Sequence, residues 1–306
     1  MRLVFLGTAA FAVPSLRMCA ARHEVAAVVT QPQKPGHRGR PAGRPVRDAS
    51  EALQLTVLTP DRIRDPRAVR EIAELQPACL VVAAYGQILP QELLDAPRHG
   101  PVNVHASLLP RWRGASPVAH AILTGDSDTG VTIMRMDAGL DTGPIYAQRR
   151  VPIPLGATTP SLTDTLAHEG ASLLADVLDS IERGDAAATA QPSVGVTLAP
   201  RLRREDGVVE WNGCSAVDID RRVRALQPWP GVIAPLGGAT VRLLEGSVAE
   251  DARSGGPAPG TIVEMSGEAV LVVARDGSAY RIERVLPSGS RAMSAAAFLR
   301  GRRSVE

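Results

Sequence analysis

Residues 3–30, LVFLGTAAFAVPSLRMCAARHEVAAVVT, decide the fold. Leu3 to Leu6 and Val25 to Thr30 are short runs of β-branched and aliphatic residues. Between them Phe11 to Ala21 is long enough, and rich enough in Ala and Leu, for one helix. A strand, a helix and a second strand in about 28 residues make a crossover unit, which places the two strands parallel in one sheet. The same alternation continues outward. Leu55 to Leu58, Leu80 to Ala84, Val102 to His105 and Val131 to Met136 are further strand-like runs. Helices are expected over Ala68 to Leu75, Ala115 to Leu123 and Ser161 to Arg183. Ligands of such sheets bind beyond the carboxyl ends of the strands, so residues that directly follow a strand are the first candidates for chemistry. The turn after the first strand, Gly7-Thr8-Ala9-Ala10, lacks the GxGxxG spacing of dinucleotide-binding sheets.

Composition narrows the class. The chain has 306 residues, enough for two ordinary domains, and its aromatic content of 3 % means a core of Leu, Val, Ile and Ala. A net charge of +2 is too small to make the whole chain a polyanion binder, so any attraction for nucleic acid must come from local clusters. Cys19, Cys79 and Cys214 are odd in number and far apart, which predicts neither disulfides nor zinc. There is no leader-like segment, and no apolar run reaches the roughly 20 residues needed to cross a bilayer. The expectation is a soluble, cytoplasmic protein with no metal and no membrane partner. Lacking a long exposed apolar stripe, it is expected to be a monomer.

Periodicity dissolves around Thr189 to Glu205 and returns as short runs broken by Gly and Pro: Val208 to Trp211, Val232 to Ala234, Thr240 to Leu244, Gly260 to Met265, Ala269 to Ala274 and Ala279 to Leu286. We therefore expect a first domain over 1–189, a linker over 190–206, and a small OB-like β-barrel over 207–306.

The densest motif is Val102-Asn103-Val104-His105-Ala106-Ser107-Leu108-Leu109-Pro110-Arg111-Trp112-Arg113-Gly114, with Asp137-Ala138-Gly139-Leu140-Asp141-Thr142-Gly143-Pro144 downstream. Asn103 and His105 are two apart, so on an extended strand they point the same way. An amide and an imidazole side by side suit an oxygen that becomes anionic when an amine attacks an acyl carbon. Singly, each residue has a bland alternative: Asn103 and His105 would merely finish a strand, and Asp141 would cap a turn. Together and in this order, the N-x-H, SLLPxxRG and D-x-G-x-D-T-G-P tokens resemble the folate-dependent formyltransferases.

The resemblance implies an α/β, Rossmann-like formyltransferase domain with a mostly parallel sheet. It assigns Asn103, His105 and Asp141 as the catalytic trio and 10-formyltetrahydrofolate as a consumed cosubstrate. Asp141 would hold the imidazole and help pass a proton from the attacking amine to the leaving folate nitrogen. Ser107, Leu108, Leu109, Pro110 and Gly139 would meet the folate, and Gln87, Ile88 and Leu89, after the fourth strand, would line the pterin pocket through their main chain. Ala9 and Ala10 depart from the Pro and acidic residue usual in the family, which leaves that turn without its carboxylate.

The acceptor is read from other segments. Gln31 to Arg47 carries Lys34, Arg38, Arg40, Arg44 and Arg47 with no acid, and its Gly and Pro residues exclude a helix. A basic insertion at this place resembles the family members that formylate methionine-charged initiator tRNA. Arg201 in Ala-Pro-Arg-Leu, and Arg224-Ala225-Leu226-Gln227-Pro228-Trp229-Pro230-Gly231, resemble their linker and carboxyl-terminal domain. Trp229 is read as a core anchor rather than a stacking platform, and Met293 to Arg303 as a final helix. The alternative is a sugar-nucleotide N-formyltransferase, which would not need the basic segment.

Overall fold

A computed structural model of the chain describes residues 1–33, 43–249 and 256–303, which form two compact units. The first comprises Met1–Pro117, Asp128–Pro152 and Leu162–Pro200. The second comprises Val118–Ser127, Ile153–Ser161 and the residues from Arg201 onward, so two stretches that precede Arg201 join the carboxyl-terminal part.

The first unit is built on a seven-stranded sheet. Strands β1 (Arg2–Gly7), β2 (Glu24–Val29), β3 (Val57–Leu58), β4 (Cys79–Ala83) and β5 (Pro101–His105) are parallel, while β6 (Asp128–Arg135) and β7 (Ile145–Pro152) add antiparallel, in the order β3-β2-β1-β4-β5-β6-β7. Leu3 to Leu6 and all of β4 are buried, as strands covered on both faces must be. Helices α1 (Val13–Arg22), α2 (Pro45–Ala52), α3 (Pro66–Glu74), α4 (Gln91–Asp95), α5 (Pro117–Thr124) and α6 (Thr159–Arg183) connect or follow the strands. Helix α3 starts two residues before the expected Ala68, because Asp65 caps it, accepting from Arg67 N at 2.8 Å, and Pro66 takes the first helical position.

Two differences bear on function. The basic segment is not irregular to its end: Pro45 starts α2, so Pro45 to Arg47 form a first helical turn, where proline is well suited. Strand β7 was not legible, because Gln148, Arg149 and Arg150 on a half-exposed sheet edge hide its alternation.

The second unit contains a six-stranded antiparallel sheet of β8 (Val232–Leu236), β9 (Ala239–Val248), β10 (Ile262–Ser266), β11 (Ala269–Val273), β12 (Ala279–Pro287) and β13 (Met293–Ser294). Their path is β10-β11-β12-β9-β8, with β13 on β12. Helix α7 (Ala216–Ala225) begins with a reciprocal cap between Ser215 and Asp218, and α8 (Ala295–Arg303) closes the described chain. Val208 to Trp211 is not a strand. It makes one bridge, Val208 to Ile233, between a 3-10 turn at Arg204–Gly207 and the Asn212-Gly213 turn. Trp211 is the buried anchor, donating from Nε1 to Pro235 O at 2.7 Å. Trp229, expected in the core, is instead 52 % exposed, held between Pro228 and Pro230 in the turn before β8.

Candidate active site

Strand β5 fixes the first two groups. Val104 faces α6, where Gly170 lets the helix approach so closely that a Cβ there would lie 2.8 Å from Val104 Cγ1. Asn103 and His105 therefore share the opposite face. His105 is 6 % exposed, and its Nε2 lies 2.9 Å from the carbonyl oxygen of Trp112. A carbonyl only accepts, so Nε2 carries the hydrogen, which leaves Nδ1 as the nitrogen that gains or loses a proton. Among the described residues none hydrogen-bonds the side chain of Asn103.

Asp141 comes from the loop after β6. Because β6 is antiparallel, the loop after it starts beside Val102, with Met136 N donating to Pro101 O at 2.8 Å. The loop then folds back over the sheet face until Asp141 Oδ2 stands 3.7 Å from His105 Nδ1 and accepts from Gly114 N at 2.8 Å. Asp141 has a φ of 51°, in the left-handed region that costs a side chain with a Cβ. Asp137 shapes the same loop by accepting from Gly139 N at 3.1 Å and from Thr142 Oγ1 at 2.7 Å. Gly139 is exposed.

The loop after β5 is held by its carbonyls and amides. Buried Thr132 Oγ1 donates to Ser107 O at 2.6 Å while accepting from Leu109 N at 3.1 Å and from Gln148 Nε2 at 2.9 Å. Gln148 Nε2 also donates to Leu109 O at 2.8 Å. Ser107 Oγ, fully buried, donates to Arg111 O at 2.6 Å, so its hydroxyl hydrogen is engaged within the loop. Leu109 is buried, whereas Leu108 and Pro110 are half-exposed. The segment expected to link domains takes part as well: Trp112 N donates to Thr197 Oγ1 at 2.8 Å, Arg113 N to Thr197 O at 2.9 Å, and Ala199 N to Arg113 O at 2.7 Å. Thr132, Gln148, Gln191 and Thr197 were missed by sequence reasoning. Each meets the loop from a remote segment and forms no local motif with it.

The remaining expected residues fall around the neighbouring strand ends. Gln87 turns its amide to the loop before α3, accepting from Ile63 N at 2.8 Å and donating to Asp61 O at 3.2 Å. Leu89 is buried in the core cluster of β1 and β4, and Ile88 is 73 % exposed. The turn after β1 holds without a carboxylate: Thr8 N and Ala9 N both donate to Ala84 O, at 3.2 and 3.4 Å, and Thr8 Oγ1 donates to Tyr85 O at 3.0 Å. Gln31 Nε2 also donates to Tyr85 O, at 2.6 Å, passing over Gly86, whose φ of 83° and missing Cβ leave it room. A cleft of about 270 Å³ opens here, lined by Thr8, Ala9, Gln31, Arg44, Arg47 and Gly86.

Lys34, Arg38 and Arg40 lie outside the described residues. Arg44, just before α2, and Arg47, in its first turn, are ion-paired. Arg44 stands 2.9 Å from Asp48 and 3.8 Å from Glu51, and Arg47 is 2.8 Å from Glu51, whose pKa is lowered chiefly by that hydrogen bond. The acid-free reading of the segment thus stops one residue short of its counter-charges. Arg201 is exposed and has no partner among the described residues.

Comparison with known proteins agrees with this architecture. Residues 1–178 match the formyl transferase family and 201–303 the formyl transferase C-terminal domain. The methionyl-tRNA formyltransferase of Paracoccus denitrificans is 43 % identical over 302 residues, covering 98 % of this chain and 97 % of that protein. That of Acidiphilium cryptum is 47 % identical over 304 residues, with 98 and 97 % covered. Among solved structures, HypX from Aquifex aeolicus in complex with tetrahydrofolic acid superposes with a TM-score of 0.66 at 22 % identity, covering 98 % of this chain and 47 % of HypX, so the chain spans about half of that larger protein. On the match of both family models and the full-length relatives, the chain belongs to the formyl transferase family.

Proposed function

We propose that the chain transfers the formyl group of 10-formyltetrahydrofolate to the free amino group of methionyl-initiator tRNA, the step that prepares that tRNA for translation initiation. The observation that carries the reading is His105, set between the Trp112 carbonyl and the Asp141 carboxylate beside Asn103. It stands in a chain aligned over nearly its whole length with methionyl-tRNA formyltransferases.

The residues present fit a folate. Ile88 holds an apolar side chain out to solvent beyond the exit of β4, two residues after Gly86, where a flat ring can approach the backbone. The main chain of Gln87 to Leu89 and the loop Ser107 to Pro110 flank the ends of adjacent strands, and Gly139 belongs to the loop that carries Asp141. When bound, 10-formyltetrahydrofolate supplies the formyl carbon and, as the formyl group leaves, a nitrogen that takes up a proton.

In the mechanism that follows, the nucleophile is the amine of the substrate, so no side-chain nucleophile is needed. Asn103 Nδ2 donates to the oxygen that becomes anionic as the amine adds; one such donor accounts for about 100- to 1,000-fold in rate. His105 Nδ1 takes the proton that the amine sheds and returns it towards the departing nitrogen, while Asp141 Oδ2 faces the ring and compensates its transient charge. Donation from Nε2 to Trp112 O keeps the ring from turning away.

For the acceptor, the basic segment Lys34 to Arg47 supplies guanidinium and ammonium groups for phosphates, with Arg201 as a further contact. The ion pairs of Arg44 and Arg47 lie at the surface, where such pairs are worth about 0 to 1 kcal/mol, so a phosphate can replace the carboxylates at small cost. Residues 1–189, with Gln191 and Thr197 of the segment 190–206 holding the catalytic loops, carry the transfer, and 207–306 contact the tRNA. A cytoplasmic monomer suits that task, and no helix among the described residues is long and apolar enough to cross a membrane. The fold alone is shared with sugar N-formyltransferases, and nothing specific in this chain favours that substrate.

The test offers labelled 10-formyltetrahydrofolate with methionyl-initiator tRNA and a panel of amino-sugar nucleotides. Label is expected in the tRNA. Label only in a sugar would overturn the acceptor, and label in neither would overturn the reaction.

A further inference from the structure

We infer that Gln191 is a positioning residue for the transfer, acting through Asp141; the inference rests on the catalytic reading of Asn103, His105 and Asp141 given above. One amide joins the two loops that bring the catalytic groups together. Gln191 Oε1 accepts from Arg113 Nε at 3.1 Å and Nη2 at 2.7 Å, on the loop after β5. Gln191 Nε2 donates to Asp141 O and Gly143 O, both at 2.8 Å, on the loop after β6. All four hydrogen-bonding positions of the side chain are used, and the partners fix which end is oxygen: a guanidinium only donates and carbonyls only accept.

The consequence lies at the contact between the loops. Asp141 Oδ2 reaches His105 Nδ1 and Gly114 N from a backbone with a φ of 51°, which relaxes unless something holds it. Gly114 is the neighbour of Arg113, so Gln191 holds both sides of the Asp141–Gly114 hydrogen bond at once. The same segment holds the other partner of the imidazole, because Thr197 Oγ1 accepts from the N–H of Trp112, the residue whose carbonyl takes the His105 Nε2 hydrogen. Residues 191–199 thus form a strap that sets the two groups flanking His105. A pure fold-stabilising role would lower stability alone. A positioning role lowers turnover, and only while Asp141 is there to be positioned.

Gln191→Met keeps the length of the side chain and removes all four hydrogen bonds. Expected are a kcat lower by about 10- to 100-fold, the scale of a displacement of about an ångström, with KM for 10-formyltetrahydrofolate and methionyl-initiator tRNA changed less than about twofold. In an Asp141→Asn background the same substitution should cost less than about threefold, since the group it positions is already disabled. If Gln191→Met does not fold, Gln191→Glu, which keeps the pairing with Arg113 but has no hydrogen to give Asp141 O and Gly143 O, should show the same two results. An unchanged kcat, a change confined to KM, or an equal loss with and without Asp141 would overturn the positioning role. His105→Ala in the same assay separates the two readings: a wild-type rate there overturns the catalytic assignment, whereas a collapsed rate beside an unaffected Gln191→Met overturns the role of Gln191 alone.

Discussion

The loop after β5 and the basic segment after β2 both leave the carboxyl ends of parallel strands in one sheet and are held in opposite ways. The first has its main chain tied by Thr132, Gln148, Asp141 and Thr197, and the loop's Arg113 is clamped by Gln191. The described end of the second is held by surface ion pairs of Arg44 and Arg47 with Asp48 and Glu51. The difference follows from their proposed tasks. Stabilising a developing oxyanion and moving one proton require donors fixed to a fraction of an ångström, whereas attracting a phosphate backbone requires only charge within reach.

That contrast can be broken by substitution. Asn103→Ala should lower kcat by about 100- to 1,000-fold with little change in KM, because the work of its amide is confined to the transition state. A rise in KM alone would move Asn103 from catalysis to binding. Thr132→Val leaves Ser107 O and Leu109 N without their partner in a buried site, which should lower unfolding free energy by about 1 to 3 kcal/mol in denaturant titration and reduce kcat about tenfold. If stability falls and kcat does not, the loop needs less precision than argued. The smallest effect belongs to Arg44→Gln combined with Arg47→Gln. The slope of log affinity for tRNA against log salt should flatten by up to about 0.7 per lost phosphate contact, less where a carboxylate already shares the charge. The rate at saturating tRNA should not move; a fall in that rate would erase the distinction between the two regions.

How much of this was legible depends on distance along the chain. The five strands from Leu3 to His105 and the helices α1 and α3 were readable because apolar runs and helix signals are local, whereas the short α2 and α4 were not expected; Asn103 and His105 were readable because strand parity alone puts them on one face. The return of Asp141 over the sheet to His105 was expected only through the family resemblance, not from any local pattern. It depends on β6 pairing antiparallel with β5 and on β7, whose charged edge conceals its alternation. Gln191 and Thr197 were hidden for a related reason: a stretch of polar and basic residues with Pro192 and Pro200 looks like a linker until its side chains are seen to reach loops some 50 to 85 residues away in sequence. Trp229 shows the converse error. An aromatic between prolines suggested an anchor, but Trp229 is half-exposed and the buried tryptophan of this unit is Trp211.

The central claim is that His105, set between Trp112 O and Asp141, moves the proton in formyl transfer. Its most direct test is the single-turnover rate of His105→Ala with saturating 10-formyltetrahydrofolate and methionyl-initiator tRNA, measured beside tRNA affinity by filter binding. The account predicts a rate lower by about 100- to 10,000-fold with affinity unchanged within about twofold. A rate near that of the unsubstituted chain, or a loss explained wholly by weaker tRNA binding, would contradict it.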